Sequence, residues 1–179
     1  MLSVEKIKAM KKLKEEFKDL NEHPISNIGV CVGLPNQDNI FEWQCTLTGP
    51  KDSSYNGGLF YLGIIFPDNY PTSAPEVFFK TPIYHLNINP RNTMTERLGH
   101  VCISTLNWWK PEHTIREILT SIFALFYMAN PESPYGIDKA DEFRTNRPLY
   151  EEKAKFFTRK YANPSNNNIN TTNDWDFSY

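Results

Sequence analysis

Cysteine is scarce in this chain and wrongly spaced for its structural uses. Cys31, Cys45 and Cys102 form an odd set with no C-x-x-C pair, which argues against a disulfide framework and against a structural zinc site. Long apolar runs are missing too: no stretch approaches the roughly 18 residues of a membrane span. The lysine-rich, amphipathic N-terminus is not followed by the apolar segment of a secretory signal. The expectation is an intracellular protein, cytoplasmic or nuclear, with no membrane partner. A charge excess is also lacking. Nineteen Lys and Arg face 21 Asp and Glu, a net charge of -2, whereas a nucleic-acid-binding domain usually carries a strong basic excess. No nucleic-acid partner is expected, and no internal repeat is present. What remains is an ordinary globular composition of 179 residues, 40% hydrophobic and 14% aromatic, long enough for one domain with a modest extension.

The hydrophobic period changes along the chain. Val4, Ile7, Met10, Leu13, Phe17 and Leu20 recur at spacings of three and four, predicting a helix with one packed face, Ser3 as its cap and Pro24 beyond its end. Its other face carries Lys6, Lys8, Lys11, Lys12, Lys14 and Lys18, either a solvated surface or a docking face for an acidic partner. From about Ile28 to Phe79 the period is two, with Phe41, Trp43, Cys45 and Leu47 alternating with polar residues, and Asn56-Gly57-Gly58 marking a turn before an apolar run from Leu59 to Phe66. Four such strands make an antiparallel meander. Residues 81–113 hold no sustained periodicity, and an irregular segment of that length inside a compact domain is more often functional than idle. A buried helix follows from Ile115, with Thr114 and Glu117 as a capping box and Asn130-Pro131 as its stop. Shorter helices are predicted at 137–144 and 148–161. The fold class is therefore α+β: an N-terminal helix, a four-stranded meander, an irregular loop segment and C-terminal helices. A domain over residues 1–162 would be followed by an asparagine-rich, acidic and flexible tail at 163–179, carrying Trp175, Phe177 and Tyr179.

Among groups able to do covalent chemistry, Cys31 and Cys45 fall in strand-like runs and are expected to be buried apolar fillers. Cys102 lies in the irregular segment, where a thiol can be partly exposed. An ordinary thiol is only about 3% thiolate at pH 7, but that fraction is strongly nucleophilic. His85, His100 and His113 raise the possibility of a cysteine hydrolase with a histidine base. Trp43 and Trp108 are expected in or near the core.

Six ordered landmarks carry a resemblance to a known family: Gly57-Gly58-Leu59-Phe60; Phe66-Pro67-x-x-Tyr70-Pro71; Tyr84-His85-Leu86-Asn87-Ile88-Asn89; Gly99-His100-Val101-Cys102-Ile103-Ser104; Trp109-Lys110-Pro111; and Asn130-Pro131-x-x-Pro134. Over residues 4–161 the chain resembles a ubiquitin-conjugating enzyme. That resemblance implies that Cys102 receives the C-terminus of ubiquitin, or of a ubiquitin-like protein, as a thioester from an activating enzyme. The acyl group then passes to a lysine, usually with a ligase. No cofactor is bound; ATP is used upstream by the activating enzyme. The resemblance assigns Asn87 either to the oxyanion or to loop support, Asn89 to the acceptor-lysine channel and Ser133 to a gate position. His85 and Trp109 become structural residues near the site. The lysine face, including Lys6, Lys8, Lys11 and Lys12, becomes the contact for the activating enzyme, while Thr72, Pro111 and Glu112 fall on ligase-contact loops.

Three departures stand out. Leu86 replaces the motif proline, so that turn loses a fixed φ and is expected to be less rigid. Asn87 and Cys102 lie 15 positions apart, more than is usual for the family, with the surplus expected within residues 90–98. Thr72 stands where members serving some ligases present a large aromatic. A catalytically impaired module of the same fold, binding a modifier or a ligase, is the alternative reading.

Overall fold

The structure is a computed structural model that describes residues 2–25, 29–90 and 98–165. Ile28, residues 91–97 of the surplus expected at 90–98, and the tail from 166 onward, with Trp175, Phe177 and Tyr179, lie outside the described residues.

The elements follow the predicted order. Helix α1 spans Val4–Glu22, and Ser3 caps it by accepting from the Lys6 N–H at 3.1 Å. Its buried face runs through Ala9, Leu13, Glu16 and Leu20, while Val4 and Ile7 are exposed. The predicted stripe therefore packs through Leu13, Phe17 and Leu20 but not at its start, and a carboxylate the pattern did not include is buried beside it. Glu16 is tolerated there because its oxygens accept from the Tyr70 hydroxyl and the Ile115 N–H, both at 2.8 Å, with the Lys12 ammonium at 3.4 Å. Glu16 therefore joins α1 to the start of the third helix.

Strands β1 (Val30–Gly33), β2 (Glu42–Thr48), β3 (Leu59–Ile65) and β4 (Glu76–Phe79) form one antiparallel sheet in sequence order, the expected meander. Register decides which cysteine is inside. Val32 pairs with Cys45, so Cys31, one residue earlier, points to the opposite face. Cys45 is buried, and burial pushes its thiol up to about 12. Cys31 is exposed, contrary to the sequence expectation. The inward residues Trp43, Cys45, Leu47, Phe60, Leu62, Ile64, Val77 and Phe79 meet Phe17 of α1 on one side and Phe126 on another.

Beyond the sheet lie α2 (Ser104–Asn107), α3 (Ile115–Leu125), α4 (Ile137–Thr145) and α5 (Arg147–Tyr161). The Thr114–Glu117 capping box is present, and α5 opens with Pro148 in its first turn. Two details differ from the sequence reading. The four-residue α2 was not foreseen, since a single turn leaves no periodic signal. Helix α3 ends at Leu125, five residues before Asn130, because the Phe126, Tyr127 and Met128 N–H groups close tight turns onto Phe123 and Ala124.

Residues 81–89 run through the interior without regular structure, all of them buried. Such a path demands side-chain partners for its backbone. Tyr55 donates to the Tyr84 carbonyl at 2.9 Å, and the Leu86 N–H donates to the Tyr150 hydroxyl at 3.1 Å.

Candidate active site

The cysteine segment is wedged between the sheet edge and the buried 85–89 run. Gly99 makes this possible: its φ of +79° is a left-handed value, and a Cβ there would sit 2.1 Å from the Phe79 carbonyl oxygen. The chain can then turn and exchange backbone hydrogen bonds on both sides. Phe79 donates to Gly99 and Val101 to Val77 on the β4 side, while Asn89 donates to His100 and Cys102 to Asn87 on the other. Asn89 and Gly99 also close the base of the surplus segment, through a 2.9 Å bond from the Gly99 N–H to the Asn89 carbonyl.

Cys102 emerges from this clamp half-buried, lining a cavity of about 360 Å³ with Ser104, Asn107, Trp108, Asn130 and Ser133. Among the described residues its sulfur has two hydrogen-bond partners, the Ser133 hydroxyl at 3.3 Å and the Asn107 amide, which donates at 3.4 Å. Neither is a base. His100 instead engages the Tyr135 hydroxyl at 3.2 Å, so the Cys–His pair required by a hydrolase is not assembled.

Asn87 is fully buried and every polar atom of its side chain is used. Nδ2 donates to the Asn130 and Ser133 carbonyls at 2.8 and 2.9 Å, and Oδ1 accepts from the Asn130 N–H at 2.8 Å. One amide thus fixes the 130–133 loop that brings Ser133 to the sulfur. His85 extends the brace: Nδ1 accepts from the Asn87 N–H at 3.0 Å, leaving Nε2 as the donor to the Leu125 carbonyl at 3.0 Å. Burial opposes its protonation and lowers its pKa to about 4, so the ring is neutral at pH 7.

Leu86 departs from the expectation of a looser turn. A proline there would have no N–H; leucine supplies one, taken by Tyr150, while its carbonyl accepts from the Tyr135 N–H at 2.8 Å and its side chain is fully buried. Hydrogen bonds and packing replace the fixed φ. Asn89 is buried beside the clamp. Trp109 donates from Nε1 to the Pro71 carbonyl at 2.7 Å and so ties the chain after the cysteine to the 67–75 loop.

That tie brings the expected partner-facing residues into one neighbourhood. Thr72, Pro111 and Glu112 are exposed on adjoining loops, and Lys6 joins α1 to the first of them through Asp68 at 2.9 Å. The lysine face is not uniform: Lys12 and Lys18 pair with Glu16 and Glu22, while Lys8, Lys11 and Lys14 are exposed. Trp108 corrects the sequence expectation outright. It is 78% exposed at the rim of the cavity, because α2 turns it outward and leaves Trp109 to fill the inner position.

The residues that sequence reasoning passed over are Asn107, Tyr135 and Tyr150. Each acts through a contact whose partner is set by the fold, and for Tyr150 and Leu86 the separation is 64 positions.

A helix, a meander, a clamped cysteine beside a buried asparagine and a helical C-terminal half together define a protein class. The sequence model of the ubiquitin-conjugating enzyme family matches residues 12–158. The chain belongs to that family.

Proposed function

We propose that this protein is an active conjugating enzyme in which Cys102 accepts ubiquitin, or a ubiquitin-like protein, as a thioester and passes it to a substrate lysine. The observation that carries this reading is a half-buried sulfur that opens onto a cavity whose Asn130 and Ser133 are held in place by the buried Asn87 amide. Attack by the sulfur on the activating enzyme's thioester forms a new C–S bond at Cys102 and releases the other thiol. Attack by a lysine amine then forms the C–N bond, breaks the C–S bond and returns Cys102 as thiolate, with the ammonium proton lost to solvent. A lysine is only about 0.04% neutral at pH 7, so desolvation beside the thioester is the lever that raises the supply of nucleophile. The chain needs no cofactor of its own in this scheme, ATP being consumed by the activating enzyme.

In this reading Asn87 braces the 130–133 loop rather than meeting the oxyanion, because both amide hydrogens are committed to carbonyls. Ser133 is the gate, Asn89 shapes the acceptor side, and His85 and Trp109 hold the floor and the rim. The exposed Lys8 and Lys11, with Lys6 and Lys12, face the activating enzyme; Thr72, Pro111 and Glu112 face a ligase.

The test is a charging reaction with an activating enzyme, ATP and a panel of modifiers. A reductant-sensitive adduct is expected, abolished by Cys102→Ala and retained in Cys31→Ala and Cys45→Ala. No adduct across the panel would favour the impaired binding module.

A further inference from the structure

Thioester aminolysis builds negative charge on the carbonyl oxygen, and a donor aimed at that oxygen lowers the barrier. The buried Asn87 amide has no hydrogen left to give: both are held by backbone carbonyls of the 130–133 loop at 2.8 and 2.9 Å. Breaking either bond would leave a donor of the fully buried Asn87 amide unsatisfied. A donor must therefore come from elsewhere. Among the described residues, two side chains touch the sulfur. The Ser133 hydroxyl sits 3.3 Å away on the loop that Asn87 fixes. The Asn107 amide, which also lines the cavity, sits 3.4 Å away at the C-terminal end of α2.

Asn107 is exposed, and among the described residues its side-chain hydrogen bond goes to the sulfur itself rather than to a loop. Once Cys102 carries an acyl group, the carbonyl oxygen lies two bonds from that sulfur, within reach of a donor already in contact with it. Building on the proposed function, we infer that Asn107 is a catalytic residue for discharge: its amide hydrogen-bonds the thioester oxygen as charge develops there. The bookkeeping is simple. The lysine nitrogen bonds to the carbonyl carbon, the π electrons move onto oxygen, and the Asn107 N–H donates without transferring its proton. Collapse of the intermediate expels the Cys102 thiolate, to which the same amide returns. Solvent takes the ammonium proton. Rigid support and charge stabilisation, which could have been one asparagine's work, are divided here between Asn87 and Asn107.

The experiment uses the full chain charged with ubiquitin, the activating enzyme then quenched, and discharge to free lysine followed in single turnover. Asn107→Ala should slow discharge by about tenfold to 100-fold, below the largest effects of buried donors because this amide is exposed. Asn107→Asp, the same shape without a donor and with a charge that repels the oxyanion, should be slower still. Both variants should melt with the wild type. A second readout needs no modifier. Peptide-resolved alkylation of Cys102 by iodoacetamide should fall about fivefold in Asn107→Asp at pH 7, because a carboxylate beside the sulfur opposes the thiolate. Wild-type discharge rates in both variants, with a normal thioester formed, would overturn this inference alone, as would unchanged alkylation in Asn107→Asp. Failure of the wild type to form any thioester would remove the proposed function and this inference with it.

Discussion

The buried run that flanks the cysteine segment and the exposed turn that follows it are built on opposite principles. On one side the 85–89 run is buried and every polar group in His85 and Asn87 that the reaction might have used is already spent on the fold. On the other side Asn107 and Trp108 are exposed, and among the described residues the Asn107 amide donates to the sulfur alone. The floor spends its donors on position, and the rim keeps one for chemistry. The physical reason is the cost of desolvation. A buried amide must be paired at all times, whereas an exposed amide can exchange a water or a thiol for a developing oxyanion.

Matched variants of the two asparagines separate the buried side from the exposed one. The largest difference should separate Asn87→Ala from Asn107→Ala in thermal or urea unfolding. The first removes three hydrogen bonds of a fully buried side chain and should cost on the order of 3–4 kcal/mol. The second should stay within about 0.5 kcal/mol of wild type. Equal losses would erase the distinction between floor and rim.

His85 sharpens it next. Its folded pKa of about 4 lies below the ordinary value of 6.5, so the unfolded chain binds the proton more readily. The stabilising contribution of the neutral ring is fully present above about pH 6.5 and is lost as pH falls toward 4, by roughly 3 kcal/mol at most. His85→Gln should be less stable than wild type at pH 7, and the gap should narrow as pH drops through that window. A constant gap between pH 7 and pH 4 would show that the buried ring's titration does not set it.

Tyr150→Phe removes the acceptor for the Leu86 N–H and should cost about 1–2 kcal/mol, read as a shift in unfolding midpoint. The smallest effect belongs to the rim: Trp108→Ala should change stability by less than about 0.5 kcal/mol, since the ring lies largely in water. A loss of several kcal/mol there would return Trp108 to the core.

The division between what was readable in the sequence and what was not follows from the range of the interactions. Strand alternation, the Thr114 cap, the glycine turn and the order of elements are local patterns, and each is found where the sequence indicates. The motifs placed Cys102, Asn87 and Ser133 in one site, and the fold brings them together. Misreadings arose where a tertiary contact overrides a local rule. Glu16 is polar yet buried because Tyr70 and Ile115 satisfy it. Cys31 reads like Cys45 but falls on the other face of the sheet, a matter of register rather than composition. Trp108 and Trp109 are neighbours of the same type, and only the turn of α2 separates the exposed ring from the anchored one. Leu86 reads as a weakened turn because the hydroxyl that receives its N–H lies on α5.

The proposed place of the acyl group, the Cys102 sulfur, is checked by the Cys102→Ser variant. In the charging reaction an oxygen at this position should form an ester in place of the thioester. The expected adduct survives reductant and is cleaved by mild base. A Cys102→Ser adduct still released by reductant would put the acyl group on another thiol and contradict the account.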